Sequence, residues 1–255
     1  MNIIWQFLIV CIFGIISSNI ATKIAYRLFN EEQKDSKKIN LFSKSICHSC
    51  QHQLKLKDII PIISYFLLKR KCRYCNKKIS IIYPFCELFL PLNFILSVYL
   101  CGGLNKTSII LCLLILCLTI QSIIDIRVMM SSDIIHIIEF ILCIILAKNI
   151  NISNKQMMTS IIFAFIFFMF ISLIMKFKKH QDVLGFGDIK LFMILSSVFN
   201  LHELTIFITI TGLIGIIFAY TRNILYKTNN NIFPFIPSIF LSFLLAFYFK
   251  INIIL

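Results

Sequence analysis

Eight apolar segments, each closed off by polar residues, confine this 255-residue chain to a lipid environment. They are Ile3–Ala21, Ile81–Leu100, Ser108–Ile124, Ile134–Ala147, Met157–Met175, Ile189–Leu201, Thr205–Tyr220 and Phe233–Phe249. Crossing a bilayer core takes roughly 20 helical residues, within about 17–25. Most segments reach that length, and the fourth and sixth fall short. No extended polar–apolar alternation supports a membrane barrel. Charged residues make up only 14% of the chain and hydrophobic ones 59%, which excludes a soluble domain and disorder alike. The expectation is an all-α polytopic membrane protein with about eight transmembrane helices. It divides into a first transmembrane helix (1–24), a polar insert (25–80) and a helical bundle (81–255).

Basic residues set the orientation. With eight crossings, the stretches 25–80, 125–133, 176–188 and 221–232 share one side of the membrane. They and their flanks hold all basic residues except Lys106, Lys148, Lys155 and Lys250. The rich side faces the cytoplasm by the positive-inside rule, and both termini face out. The formal net charge of +14 reads as a topology determinant in contact with anionic lipid, with no nucleic acid required. The first segment lacks a basic start and precedes seven others, so it reads as retained.

Within the insert, residues 30–38 form a mixed-charge run expected to be an exposed loop. Cys47-His48-Ser49-Cys50 and Cys72-Arg73-Tyr74-Cys75 then give two C-x2-C pairs, 21 residues apart. Each pair offers two thiolates from one tight turn, and two such turns close a tetrahedral zinc shell. The spacing slightly exceeds the usual ribbon interval of about 15–20 residues. A redox dithiol and plain unligated thiols are the other readings; a reducing cytoplasmic face disfavours stable disulfides. His48 and His52 are expected to be bystanders. The remaining cysteines, in or beside apolar segments, read as small core side chains.

Two carboxylates stand at the polar ends of apolar segments. Asp125 ends the third, and Asp188 closes Gly185-Phe186-Gly187-Asp188 before the sixth. Acids beside transmembrane helices are costly and are functional candidates. Two together supply the general base and general acid of aspartyl chemistry. The plainer reading of Asp188 is a helix cap after a glycine turn. Bare glycine backbone would also let a substrate strand approach closely. Ser132-Asp133 reads as an N-cap. Glu139 is a buried polar partner of undefined role, and Glu87 an interfacial or structural contact.

These residues resemble the type IV prepilin peptidases. The resemblance rests on the cysteine pairs, on Ile60–Tyr65 between them and on Ile79–Glu87 after them. Asp125 with Asp133 fits a D-x7-D segment, Gly185–Lys190 fits G-x-G-D-x-K, and Pro234–Pro237 is similar to a P-F-G-P segment. Ala25–Leu28 echoes an early arginine motif. Thr22, Gln51, Asn76, Ser132 and Ile236 depart from the family pattern, the second and third replacing glycines that often follow each cysteine pair. The resemblance implies a bifunctional bacterial inner-membrane enzyme. It would remove the basic leader of prepilins or pseudopilins at the cytoplasmic face. It would then methylate the new N-terminal amine with S-adenosylmethionine. The implied catalytic pair is Asp125 and Asp188, and the implied metal ligands are Cys47, Cys50, Cys72 and Cys75. No glycine lies between Gly14 and Gly102, so the insert holds no glycine-rich Rossmann cofactor loop. The competing readings are a presenilin or signal-peptide-peptidase-like protease cutting inside a helix, and a transporter or assembly protein whose acids bind ions. The paired cysteines disfavour the first; a genomic neighbour encoding pilins would disfavour the second.

Overall fold

Inside a bilayer the backbone has no water to bond, so apolar segments satisfy their amides as helices. The computed structural model describes residues 3–33, 46–47, 49–58, 60–179, 185–226 and 233–254. Among them the regular structure is helical, apart from two isolated bridges. Two compact units are distinguished, Met1–Tyr99 and Leu100–Leu255.

The first unit is built on α1 (Ile3–Gln33) and α3 (Ile82–Leu100), with a 3-10 turn at Leu56–Asp58 and the short α2 (Ile63–Leu67) between them. One face of α1 is a run of small residues: Gly14, Ser17, Ser18, Ala21 and Ala25 are buried. Small side chains let helix backbones approach. A Cβ on Gly14 would stand 2.5 Å from the Pro91 Cα of α3, so glycine is what permits this crossing. Hydroxyls on the same face return to their own helix, Ser18 to the Ile15 carbonyl and Thr22 to that of Ser18, and are buried without loss. On the opposite face Trp5, Leu8, Ile12, Phe13 and Ile16 are exposed, as lipid contact requires. Residues 30–33 of the expected mixed-charge loop are the last turn of α1; residues 34–38 lie outside the described residues.

The second unit holds α4 (Lys106–Val128), α5 (Asp133–Asn149), α6 (Asn154–Lys179), α7 (Phe186–Ser196), α8 (Leu201–Tyr226) and α9 (Ile236–Ile254). Helix α4 is its centre and packs against α5 and α9; α7 packs against α5, α6 and α9. Phe168, Phe192, Phe199, Phe207, Phe243 and Phe247 form a continuous aromatic core, with Phe192 stacked on Phe207 at 4.4 Å.

Among the described residues five helices are long and apolar enough to cross a membrane: those at Ile4–Leu28, Ile82–Leu100, Lys106–Val128, Asn154–Ile174 and Leu201–Arg222. The chain is thus a multi-pass membrane protein, while the expected count of eight finds five helices of full length. The others are α5 with 17 residues, α7 with 11 and the apolar Ile236–Ile251 of α9. Helix α7 is about 16 Å long against a core of about 30 Å. Its apolar sequence reflects burial among neighbouring helices, which hydropathy cannot tell from lipid contact.

Candidate active site and metal centre

In the second unit four helix ends meet. Asp125 lies in the last turn of α4, which Met129 closes in the left-handed conformation with its N–H on the Asp125 carbonyl. The carboxylate of Asp125 is buried and accepts the Ile236 N–H at 2.9 Å and a further bond from the Phe235 amide. Those amides open α9, where unsatisfied N–H groups favour an anion. Pro234-Phe235-Ile236-Pro237 therefore presents two free amides between two prolines that have none. Asp188 occupies the third position of α7, and its carboxylate folds back on the cap residue, taking a bond from the Gly185 amide. It is the reciprocal half of a capping box. The two carboxylates lie within electrostatic reach of each other.

The glycines of this turn are covered on one side only. The Asp188 carboxylate fills the side of Gly185, its Oδ2 being 3.0 Å from where a Cβ would stand. On Gly187 a Cβ would collide with Ser131 Oγ. Gly187 thus allows close packing of α7 against the α4–α5 turn, while Gly185 stays exposed.

Asp133 is exposed and pairs with Lys190 at 2.8 Å, which holds its carboxyl below the usual range. Ser132 stands at the N-cap position, but its side chain makes no capping bond. Gln121 clasps this turn instead, donating to the Ser132 carbonyl at 3.1 Å and accepting its N–H at 3.1 Å. Glu139 is fully buried and pairs with His136 Nδ1 at 3.1 Å. Gln121, Ser131, His136 and the amides of 235 and 236 were not singled out from sequence. The P-F-x-P segment was the one available signal.

In the first unit the two cysteine pairs form matching turns. Cys47 accepts the Gln51 N–H on its carbonyl and donates its own to His52; Cys72 does the same with Asn76 and Lys77. Gln51 and Asn76 both have φ of 55°. That left-handed conformation favours glycine, the residue the family often has there. All four sulfur atoms lie within 4.8 Å of one another, with Cys47 and Cys75 at 3.8 Å. A tetrahedral site with Zn–S bonds of about 2.3 Å has edges of about 3.8 Å, while a disulfide would need about 2.05 Å. Desolvation opposes ionisation of Cys47, but the Cys50 and Ser49 amides and the neighbouring thiols draw it down to about 7. For Cys75 the Lys77 amide favours the thiolate, yet desolvation and three neighbouring sulfurs push it up to about 11. One thiolate thus hinders the next unless a cation joins them. His52 lies against Tyr74, ring centroids 3.7 Å apart, and His48 lies outside the described residues.

A cavity of about 410 Å³ opens beside these turns, lined in part by Tyr26, Tyr65, Tyr83, Asp58 and Glu87. Tyr26 and Tyr83 stack at 6.1 Å. Glu87 accepts the Ile62 N–H at 2.6 Å, and Ile62 is held at φ 62° and ψ −52°. That conformation is strained for a β-branched residue, at about 1–3 kcal/mol, and such strain clusters at functional sites.

Residues 3–101 match the bacterial peptidase A24 N-terminal domain, and residues 112–220 match the type IV leader peptidase family. A prepilin leader peptidase/N-methyltransferase of Vibrio cholerae is 27% identical over 208 residues, covering 81% of this chain and 81% of that protein. The type 4 prepilin-like proteins leader peptide-processing enzyme of Escherichia coli is 27% identical, covering 80% of this chain and 75% of its own. A prepilin leader peptidase/N-methyltransferase of Legionella pneumophila is 27% identical over 98% of this chain and 93% of that protein. No solved structure matches the chain.

Proposed function

We propose that this chain, which belongs to the type IV leader peptidase family, removes the basic leader of prepilins or pseudopilins through Asp125 and Asp188 and then N-methylates the new terminus. The observation that carries the reading is the convergence of both carboxylates, each on helix-terminal amides, at one end of the second unit. Two neighbouring carboxyls share one proton, since ionising both is disfavoured. The ionised member takes a proton from water, and the oxygen attacks the scissile carbonyl. The protonated member gives its proton to the carbonyl oxygen. As the tetrahedral intermediate collapses, the C–N bond breaks and the leaving amine takes a proton from the pair.

A prepilin is a membrane helix with a polar leader, so its scissile bond lies near the interface. The five full-length helices, with α5, α7 and α9, make eight passes that put the aspartates on the cytoplasmic side of a bacterial inner membrane, in line with the distribution of Lys and Arg.

The four thiols fit zinc by their spacing and donor chemistry, and a closed four-sulfur site organises structure without entering the chemistry. The cavity of the first unit fits S-adenosylmethionine. Its volume lies in the small-molecule range of about 300–1,000 Å³. Tyr26, Tyr65 and Tyr83 line it with aromatic rings suited to an adenine or a cation, and Glu87 brings a carboxylate for an ammonium, while Asp58 is taken up by Arg73 at 2.8 Å. When bound, this donor supplies a sulfonium methyl group.

The test is cleavage of a purified prepilin, alongside transfer of labelled methyl to a precleaved peptide. Asp125→Asn and Asp188→Asn should each slow cleavage by at least ~10³-fold. Both variants should still label the precleaved peptide, because methyl transfer needs no activated water. Normal cleavage by either variant would overturn the catalytic assignment; absence of label with folded wild-type protein would remove the methyltransferase half.

A further inference from the structure

The second unit contains a buried acid–imidazole pair that the chemistry above does not use. His136 is 4% exposed and Glu139 is 0% exposed. His136 Nδ1 lies 3.1 Å from Glu139 Oε2 and 3.3 Å from Gln121 Nε2. The Gln121 Nε2 amide has hydrogens to donate and no lone pair to accept with, so of the two neighbours only the Glu139 carboxylate can take a hydrogen from Nδ1. The Nδ1–H therefore donates to Glu139, and Gln121 spends its amide on the α4–α5 turn. That leaves Nε2 as the ring nitrogen not engaged by Glu139. Nε2 is buried and has no hydrogen-bond partner among the described residues. It lies 4.0 Å from where a Cβ on Gly187 would stand, immediately before Asp188. The imidazole and the Asp188 carboxylate interact electrostatically. A carboxylate fixing one ring nitrogen so that the other faces a reacting group is a general way of setting tautomer and direction.

We infer that His136 is a positioning residue for the aspartate pair, locked at Nδ1 by Glu139 and presenting Nε2 to the Gly187–Asp188 turn. This rests on the reading of Asp188 as catalytic. A ring nitrogen at this place acts on Asp188 in two ways. It lies beside Gly187 and so limits where the carboxyl can sit, and when the ring carries a second hydrogen, at Nε2, it favours the ionised acid over the neutral one. The groups facing His136 are Asp188 from α7, Gln121 from α4, and Asp133 and Glu139 from its own helix. Cys117 of α4 and Cys143 of α5 face Glu139. Glu139 pairs with His136 at 3.1 Å, a pair that is ionic only when the ring carries both hydrogens.

The test uses the full-length protein in detergent. His136→Asn retains an amide N–H near the position of Nδ1, and with it the bond to Glu139, but ends short of Nε2. It should fold, keep KM within about twofold, and lose roughly tenfold or more in kcat, about 1.4 kcal/mol in the barrier. The acid limb of its pH–rate profile should move upward by about half a unit or more. That is less than the shift of about one to three units expected of a permanent neighbouring cation. Glu139→Gln, which frees the ring, should move the limb the same way, and the double variant should be no worse than the more impaired single one. If His136→Asn fails to fold, Glu139→Gln decides the same comparison. An unmoved limb in a folded variant, or a loss equal at every pH, marks mere packing and overturns the inference. Independently of activity, nitrogen-15 spectra of histidine-labelled protein should show His136 with its neutral form protonated at Nδ1, becoming a tautomer mixture in Glu139→Gln. Protonation at Nε2 in the wild type would sink the proposal even if Asp125 and Asp188 cleave as described. Wild-type protein that does not cleave would instead sink the peptidase reading and leave this placement standing.

Discussion

At the scale of single residues, the environment of Asp125 comes from backbone more than from side chains. The Ile236 amide opens α9, where a proline would fit the helix but carry no N–H. Ile236→Pro should therefore leave α9 formed while removing a hydrogen bond to a carboxylate, worth about 1.5–3 kcal/mol. Cleavage should fall about 10- to 100-fold at unchanged folded yield, read as initial rates on a purified prepilin. Rates equal to wild type would show that this amide does not matter to the acid. Asp133 offers the contrast. Its carboxyl is exposed and held low by Lys190, so the pair is present above the ordinary carboxylate range and is lost as pH falls through it. Water screens such pairs. Asp133→Asn should cost less than about fivefold in the same assay, and a loss near that of Asp188→Asn would move the catalytic role to Asp133.

Single elements show how little local sequence it takes to set a metal site. Two turns, each closed by a carbonyl–amide bond and a left-handed residue, bring four sulfurs within 4.8 Å. The thiols crowd one another, so a dication stabilises the ionised set. Purified protein should contain about one zinc per chain, and Cys72→Ser should lose it. Protons compete for the same sulfurs, and Cys75 carries the highest barrier to ionisation. Zinc should therefore leave as pH is lowered, followed by release of metal to a chromogenic chelator. Its loss should reduce folded yield more than it changes the chemistry at Asp125 and Asp188. Carefully reduced protein that binds no zinc would dismiss the site.

Across the whole molecule the charge distribution makes the strongest statement. Reporter fusions or cysteine labelling after residues 30, 130, 180 and 228 should all report the cytoplasm, and those after 104 and 152 the opposite side. One reversed position would break the eight-pass arrangement. The three shorter helices are the critical ones, because α7, at 11 residues, depends on its neighbours to bury its ends.

The spacing of the two cysteine pairs, the apolar runs and the two acids at their ends were legible in the sequence because each is local. The helical class, the five full-length helices and the candidate ligands followed from residues within a turn or a segment of one another. The rest depended on contacts that no local pattern encodes. Asp125 finds its donor 111 residues away, at the start of α9. Lys190 reaches Asp133 across 57 residues. Hydropathy marked α7 as apolar but could not show that it has 11 residues, because an apolar helix buried in protein and one facing lipid have the same composition. Glu139 was expected to be a buried polar partner of undefined role, and His136 was not singled out. Their pairing at i,i+3 is local to α5, but only the packing of α5 against α7 brought it to Asp188, since tertiary structure decides which helix ends share a low-dielectric space.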